Sequence, residues 1–565
     1  MELPKAIRVP AHRARRSKAS LNSPVLNQAS RPCDTVAENP IGPAAFKPRA
    51  FLSELSLTSL DRRAVLALIA AGALAPATAI GRTPGFSFET VRARARNLAT
   101  HPYIPSPPPP SQVEDVDYDA VHAMGFRRDK VPLWGDDWGV ELFPLSRGTP
   151  KAVAIHLVED GVERPLPYDP SMIWTPDGNP IQALPADAGF AGFRAISRGL
   201  DGEWLVFHGA AYFRSPSPFG QYGLSARGIA ADTYAVQPEE FPDFREFWLE
   251  RDAQGQLVVH AIMESPGIVG AYRFVNKRDG QTLTQEVEAA VFFRKAFDQI
   301  GFAPLTSMFW YSEDRSNPGA DWRPEIHDSD GLAIWTGAGE RLWRPLDNPD
   351  RVVTSTFSDE NPRGFGLIQR DRDFDHYHDE QAHMDRRPSA WVEPLHGWGK
   401  GSVRLVEIPT RDETDDNIVA FWTPEAPVHA GTTITLRYRL HWTGDTPSSN
   451  DTGDLARVVA TRSGRSGEPG RQTKAEGRKI DVEFRGETLL SLRTATDVEA
   501  DVVARNGTIR LLSHFPGARH ETGPTGLWRV TFDVVADGDE PVDVRVLLRR
   551  DGRALTETWT SLIFP

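Results

Sequence analysis

Four acidic side chains lie within five positions between two strand-like segments. Residues 403–408 and 418–422 are rich in Val, Ile and aromatic residues, a composition typical of strands. The connection between them has no glycine and exceeds the roughly two to five residues of a tight hairpin. These acids could belong to a solvated loop. Alternatively, they lie together at the rim of a cleft, where crowding raises the pKa of one carboxyl group and suits it for acid catalysis. The four are Asp412, Glu413, Asp415 and Asp416.

Aromatic residues are concentrated in the same part of the chain. Asp328 and Asp330 also fall there. Glycoside cleavage needs an acid at the leaving oxygen and a base for water, and aromatic faces suit the apolar faces of pyranose rings. The pattern indicates either a carbohydrate site or the filling of a large β core. The aromatic residues are Trp310, Tyr311, Trp322, Trp335, Trp343, Trp391, Trp398 and Trp422.

Other chemistries have weaker patterns. In a strand, His376 and His378 would share a face and, with His383 nearby, could ligate zinc. These histidines lie among several Arg and Asp residues, so a salt-bridged loop is the alternative. The chain has no Gly-x-Ser-x-Gly elbow and no glycine-rich phosphate loop of a standard type. We therefore assign no metal and no cofactor.

The N-terminal region has the features of an export signal. Residues 1–50 have no apolar period and are predicted to be a disordered or spurious extension. Arg62 and Arg63 precede an uncharged run, 64–80, that ends in a small-x-small cleavage pattern. That run is short for a spanning helix of about 20 residues. Residues 51–79 are therefore predicted to be a twin-arginine signal, which makes the twin-arginine translocation machinery a partner and the periplasm the destination.

Charge and cysteine content restrict the function classes. The leader carries eleven Lys/Arg and five Asp/Glu, so its removal changes the formal charge from −13 to −19. That sign is wrong for binding a polyanion, and nucleic acid is excluded as a partner. Cys33 is the only cysteine and lies in the leader, so the mature chain is predicted to have no disulfide.

The remaining chain is predicted to be all-β with two domains. Short apolar runs alternate with turns containing Gly, Pro and Asp, and one helix is predicted at Phe88–Ala99. Residues 84–442 are assigned to a large β-sandwich and 443–470 to a linker and loops. Residues 471–565 contain strand-like runs at 480–484, 508–512, 528–534 and 542–548, a spacing that suits an immunoglobulin-like sandwich.

Nine sequence blocks, in order, resemble one known family. They include Gly-Phe-Ala-Gly-Phe-Arg at 189–194, Arg-Pro-Glu-Ile-His-Asp-Ser at 323–329 and Asp-Asp-Asn-Ile-Val-Ala at 415–420. The others lie at 222–228, 240–242, 303–309, 343–346, 364–370 and 387–392. From about residue 86 to the last residue, the chain resembles the OpgG/OpgD (MdoG) family of periplasmic glucan biosynthesis proteins. The twin-arginine leader is similar to that of the D-type branch.

The resemblance implies a large β-sandwich with a cleft, followed by a smaller immunoglobulin-like domain. It also implies action on the β-1,2-linked glucose backbone of osmoregulated periplasmic glucans, by inverting hydrolysis without a metal or by transglycosylation. The family's general acid falls at Asp416, and its base-side carboxylate at Asp328. Glu413 is the reserve candidate for the acid.

Further roles follow from this assignment. His327 and Glu325 are expected to orient the two carboxylates, and Arg323 to hold the charge state of Asp328. The remaining expected substrate-binding residues are Trp391, Tyr222, Arg227 and Trp343. Met384 occupies a position where the family carries Tyr, so product length and the choice between hydrolysis and transfer stay open.

Three hypotheses remain at this point. The first is an enzyme that cleaves or transfers β-1,2-glucan, and we favour it. The second is a non-catalytic glucan-binding scaffold that assists a membrane glucan synthase. The third is a metal-dependent enzyme built on His376 and His378, whose activity a chelator would remove. The sequence leaves the oligomeric state open, including a homodimer.

Overall fold

The structure is a computed structural model that describes residues 85–198, 202–314, 320–447, 455–467, 477–492, 494–517 and 525–565. The predicted N-terminal extension (1–50) and twin-arginine signal (51–79) lie outside the described residues. Among the described residues, no helix is long and apolar enough to cross a membrane.

Helices are a minor part of the fold. Helix α1 (Phe88–Ala99) has the predicted bounds, because Phe88, Val91 and Ala95 form one buried stripe at helical spacing. Helix α2 (Tyr118–His122) begins at Asp117, whose side chain accepts a hydrogen bond from the amide of Ala120. Short 3-10 helices occur at Ser111–Asp115, Arg128–Lys130, Pro170–Met172, Pro180–Ala183, Phe374–His376, Met384–Arg386, Glu487–Leu489 and Ala495–Asp497.

Strands make up most of the described chain. The first fifteen are β1 (Gly125–Phe126), β2 (Leu133–Trp134), β3 (Trp138–Pro144), β4 (Ala154–Glu159), β5 (Val162–Pro165), β6 (Ile173–Trp174), β7 (Phe190–Ser197), β8 (Glu203–His208), β9 (Tyr212–Arg214), β10 (Ser225–Arg227), β11 (Ile229–Ala231), β12 (Asp243–Arg251), β13 (Leu257–Glu264), β14 (Ile268–Asp279) and β15 (Thr282–Phe293). The next eleven are β16 (Ile300–Ser307), β17 (Phe309–Tyr311), β18 (Ile326–His327), β19 (Gly331–Trp335), β20 (Arg341–Pro345), β21 (Val353–Glu360), β22 (Gly364–Ile368), β23 (Ser389–Pro394), β24 (Lys400–Glu407), β25 (Ile418–Pro424) and β26 (Thr433–Thr443). The last eight are β27 (Arg457–Arg465), β28 (Arg478–Arg485), β29 (Glu499–Arg505), β30 (Gly507–Pro516), β31 (Leu527–Ala536), β32 (Val542–Arg550), β33 (Arg553–Ala554) and β34 (Thr558–Ile563).

Two large sheets form the main sandwich. Sheet A has the order β2-β3-β7-β8-β9-β10-β16-β25-β24-β21, with β11 also paired to β16. Sheet B has the order β29-β32-β34-β20-β19-β22-β23-β26-β15-β14-β13-β12-β4-β5, with β33 paired to β32. Phe207 of sheet A packs edge-on against Phe247 of sheet B, with ring centroids 5.6 Å apart, and Phe213 packs against Phe274 at 5.1 Å. The predicted all-β sandwich is confirmed.

The C-terminal strands form a second sandwich. Sheet C (β27-β28-β31-β30) shares an apolar core with β32 and β34, to which Val482, Trp528 and Trp559 contribute. Strand β34 pairs in parallel with β20, so one layer of this sandwich continues sheet B. The structure differs from the expectation of a linker at 443–470, since β27 lies within it. The reason is that Val458 is buried in the core of this sandwich.

Candidate active site

The acidic loop is fixed to the sandwich by Asn417. The Asn417 side chain accepts a hydrogen bond from the amide of Phe309 at 2.8 Å and donates to the carbonyls of Phe309 and Ile408, both at 2.9 Å. These three bonds join the start of β25 to β17 and to the end of β24. They hold Asp416, the preceding residue, at the end of the central strands of sheet A.

Asp328 is held near the same strand ends. It follows β18, which pairs with β17, and its amide donates to the carbonyl of Met308 at 2.9 Å. The hydroxyl of Ser329 lies 2.9 Å from that of Ser307, the last residue of β16. Because β16 pairs with β25, these contacts bring Asp328 towards Asp416, 88 positions later in the chain.

The charge of Asp328 alters the protonation of Asp416. Burial, and then the negative charge of Asp328, raises the pKa of Asp416 from 3.8 to about 6. The guanidinium groups of Arg214 and Arg227 act in the opposite direction on this pKa. Two like charges in a desolvated region repel, so the proton stays on one of them. Asp416 therefore retains its proton up to about pH 6, where an ordinary aspartic acid is already ionised.

Asp328 has a cation beside it. Burial raises the pKa of Asp328, and the positive charge of Arg387 is the largest opposing effect. The Nε atom of Arg387 lies 3.5 Å from Oδ1 of Asp328. Among the residues that the structure describes, none donates a hydrogen bond to this buried oxygen. It is thus available to accept a proton from a water molecule or a sugar hydroxyl.

Gly223, which has no side chain, lies directly against Arg387 and Asp328. A Cβ atom at residue 223 would lie 3.2 Å from Cβ of Arg387 and 3.5 Å from Cβ of Asp328. The carbonyl of the preceding Tyr222 accepts a hydrogen bond from Arg387, and the guanidinium of Arg214 lies 4.6 Å from the centre of the Tyr222 ring. The structure therefore places Tyr222, one of the predicted substrate-binding residues, beside Asp328 and Arg387.

Arg323 forms a salt-bridge cluster. Its two terminal nitrogens bind the two carboxylate oxygens of Glu413, each at 2.9 Å, and it also binds Asp321 and Asp379. The expected contact between Arg323 and Asp328 is not among the ion pairs of the described residues; Arg387 has that position instead. Both oxygens of the Glu413 carboxylate are therefore occupied by hydrogen bonds from Arg323.

His327 is buried and bonded at both ring nitrogens. Nε2 lies 3.0 Å from Oε2 of Glu325, and Nδ1 lies 3.1 Å from Oε1 of Gln369. Burial lowers the pKa of His327, but the hydrogen bond to Glu325 and the surrounding acids raise it overall to about 9. His327 and Glu325 thus bind one another, and His327 affects Asp328 through its positive charge, which lowers the pKa of Asp328.

The structure divides the remaining predicted substrate-binding residues. Arg227 is buried, pairs with Glu239 at 3.0 Å and lowers the pKa of Asp416, so it belongs to this site. Trp343 and Trp391 are each only 4% exposed and pack into the core shared with the C-terminal strands. Their place in an apolar core suits packing better than contact with a sugar. The sequence pattern shows that a tryptophan is in a strand but not what covers it.

The histidine segment is not a strand. His376 ends a 3-10 helix, and His378 has a left-handed backbone with φ of 52°, so the two do not share a strand face. Among the described residues, Glu325, Asp371 and His376 have ligand atoms within 4.8 Å of one another and could hold a metal. Nδ1 of His376 already lies 2.5 Å from Asp371.

Three residues of this site are absent from the predicted set. Arg387 and Asn417 lie inside the quoted blocks 387–392 and 415–420, so a signal for them was present. Arg214 ends β9 outside every block, and its role depends on the pairing of β9 with β10. Nothing in the local sequence indicates that pairing.

The fold and the site define an all-β sandwich protein with two electrostatically coupled carboxylates near the central strand ends of one sheet. Residues 86–563 match the family described as periplasmic glucan biosynthesis protein, MdoG. The chain is 44% identical over 503 residues to glucans biosynthesis protein D 2 of Ralstonia nicotianae, covering 86% of this chain and 92% of that protein. It is 42% identical over 484 residues to a probable glucans biosynthesis protein D of Shewanella oneidensis, covering 84% and 88%.

This chain belongs to the family of periplasmic glucan biosynthesis proteins. The family predicted from the sequence blocks is confirmed, and the letter D in the names of these relatives agrees with the D-type branch.

Proposed function

We propose that this protein cleaves the β-1,2-linked backbone of osmoregulated periplasmic glucans by inverting hydrolysis, with Asp416 as general acid and Asp328 as general base. The proposal depends mainly on one observation, the coupled pair of carboxylates in which burial and Asp328 raise the pKa of Asp416 to about 6. Family membership supplies the class of substrate, a glucan.

The roles follow from the two environments. Asp416 carries the proton and delivers it to the glycosidic oxygen as the bond to the anomeric carbon breaks. Burial raises the pKa of Asp328, and the positive charge of Arg387, 3.5 Å away, limits that rise. In its ionised form, Asp328 removes a proton from the attacking water. Water adds to the anomeric carbon from the opposite side. The products are a shortened glucan and a new reducing end of inverted configuration.

Transfer uses the same two groups. If a glucan hydroxyl replaces water, Asp328 deprotonates that hydroxyl and the glycosyl unit is transferred to it. Attack by a hydroxyl of the same chain closes a ring. Hydrolysis and ring closure differ in mass by one water molecule, so product mass distinguishes them.

The test uses the exported form of the protein and linear β-1,2-glucan. Products are followed by mass spectrometry and by NMR of the anomeric protons. Shorter chains whose first-formed reducing ends have the inverted configuration support the proposal, and Asp416→Asn and Asp328→Asn should each lose at least a hundredfold in kcat. Asp415→Asn removes an exposed neighbouring carboxylate and should retain measurable turnover.

An unchanged glucan at high enzyme concentration would refute the catalytic proposal. Retained binding in that case would favour the non-catalytic scaffold, with the membrane glucan synthase as its partner. Binding by Asp416→Asn, measured by titration calorimetry, separates loss of chemistry from loss of substrate affinity.

A further inference from the structure

A cavity lies on sheet A at the ends of β24 and β25 that are opposite to Asp416. Its volume is about 600 Å³, the size of a small-molecule site. Thr423, which lines it near the end of β25, is seven positions beyond Asp416. A strand rises about 3.3 Å per residue, so the cavity lies roughly 20 Å from Asp416 and is separate from the candidate active site.

Hydroxyl groups of three neighbouring strands form the floor of the cavity. Thr356 pairs with Arg404 and Ser358 with Ser402 across β21 and β24, and Ser402 pairs with Thr423 across β24 and β25. Residues next to them in β24 and β25 lie in the main apolar core, so the floor residues point away from that core. The hydrogen bonds of the described residues include none from these four hydroxyl groups.

Arg404 is a donor with unused capacity in the same floor. Its Nη1 atom donates to Oε1 of Gln299, and its Nε atom is buried without a hydrogen-bond partner among the described residues. Gln299 is itself fixed, because its amide donates to the Asp232 side chain at 2.9 Å and its side chain donates to the carbonyl of Thr233 at 3.1 Å. A buried donor without a partner is unfavourable, so Arg404 indicates a bound water molecule or ligand.

The cavity also has an apolar surface. Phe297 and Val428 are both buried and form a β-bridge, in which the amide of Phe297 donates to the carbonyl of Val428 at 3.2 Å. Ile300 and Pro427 line the cavity as well. The lining therefore combines unbonded hydroxyl groups with apolar side chains.

The charges of the lining favour an uncharged ligand. Four carboxylates and two cations line the cavity, so an anion would meet an excess of negative charge. Sugar hydroxyls both donate and accept, which suits serine and threonine hydroxyls, carboxylates and a guanidinium, and the apolar face of a pyranose suits the apolar side chains. The charged residues are Asp298, Asp359, Glu360, Glu425, Lys400 and Arg404.

We propose that this cavity is a second glucan-binding site, which holds a distant part of the same linear glucan whose bond is cleaved at Asp416. This inference rests on the proposed function for its ligand. After one part of a chain has bound, the other part is present at a high effective concentration. Glucans long enough to reach both sites should therefore bind more tightly than short ones.

Two variants alter the cavity. Thr356→Trp places an indole beside Arg404, its partner across β21 and β24, and should fill the cavity. Thr356 is exposed, so the larger side chain does not enter the core. Arg404→Gln removes the buried guanidinium donor. The matched control is Thr435→Trp, the same substitution at an exposed position of β26, which lies in sheet B and outside the cavity lining.

Binding is measured in the Asp416→Asn background, which prevents turnover. Calorimetric titration with a short linear β-1,2-glucan should give two sites per chain. Adding Thr356→Trp should leave one site, and adding Thr435→Trp should leave two. Equal thermal unfolding of the variants excludes a general loss of structure.

Kinetics on glucans of two lengths test the same site in the active protein. Thr356→Trp and Arg404→Gln should each raise KM for a long glucan roughly tenfold, with a much smaller change in KM for a short one and in kcat. A disturbance of the active site would instead alter the kinetics of both glucans. Thr435→Trp should have the kinetics of the unmodified protein.

The outcomes separate this inference from the proposed function. Loss of one binding site in Thr356→Trp supports the second site even if the unmodified protein shows no turnover. Turnover by the unmodified protein, together with a single site in the titration and a KM for long glucan that neither variant changes, would overturn the second site alone. Absence of glucan binding would overturn both.

Discussion

Replacing Asp416 with asparagine should remove turnover and, at neutral pH, make the protein more stable. The Asp416 carboxyl group lies where burial and the charge of Asp328 disfavour its ionised form. Asparagine has nearly the same shape and no charge, so it avoids that unfavourable ionisation. A site whose catalytic group is held in an unfavourable environment exchanges stability for activity.

The magnitude follows from the pKa. In the folded protein the pKa of Asp416 is raised from 3.8 to about 6. A rise of roughly two pKa units corresponds to ~3 kcal/mol. A raised folded pKa gives stability that is present below the unfolded pKa and is lost as pH rises through the folded pKa. Asp416→Asn should therefore gain ~3 kcal/mol at pH 7.5 and only ~1 kcal/mol at pH 4.5.

Thermal unfolding at these two pH values measures the effect. In a chain of this size, ~3 kcal/mol corresponds to an increase in Tm of ~3 °C, if the chain unfolds as one unit. Asp415→Asn, which removes an exposed carboxylate, should change stability by less than ~0.5 kcal/mol at either pH. If Asp416→Asn has the same stability as the unmodified protein at pH 7.5, the raised pKa of Asp416 is refuted.

Three further predictions concern the same site. The rate should have a bell-shaped pH dependence. Burial and the charge of Asp328 raise the pKa of Asp416 to about 6, so the rate should decline on the alkaline side near pH 6 as Asp416 loses its proton. Arg387→Gln removes the cation 3.5 Å from Asp328 and should raise the pKa of Asp328, which moves the acid limb of the rate profile up by roughly one pH unit. Glu413→Gln should retain more activity than Asp416→Asn, since Arg323 binds both oxygens of Glu413 and the proposed mechanism assigns the acid role to Asp416.

Each of these has a contrary outcome. A loss of turnover in Glu413→Gln as large as that in Asp416→Asn would favour Glu413 as the acid. The control for Arg387→Gln is Arg386→Gln. The Arg386 side chain is exposed and, within the described part of the chain, its hydrogen bond is to the carbonyl of Phe219. Equal pH profiles of the two arginine variants would contradict the role of Arg387.

Local structure was largely predictable from the sequence. Helix α1 has the predicted bounds because its apolar residues recur at helical spacing. The predicted strand segments 480–484, 528–534 and 542–548 lie within β28, β31 and β32. In each case neighbouring residues decide the outcome, and a local pattern therefore contains the information.

Contacts between distant segments were not predictable. The pairing of Glu413 with Arg323 joins residues 90 positions apart, and no periodicity indicates it. Trp343 and Trp391 resemble sugar-binding residues in composition, yet the C-terminal strands cover them. Covering depends on which layers pack together, and that is a property of the whole fold.

The sequence by itself determined the all-β class, the family, and the presence of several carboxylates at two motifs. Only the tertiary structure decided which carboxylate keeps its proton, because a pKa depends on burial and on charges from other strands. Asp328 follows β18, Asp416 precedes β25, Arg387 precedes β23 and Arg214 ends β9. Their effects combine only when those strands are brought together.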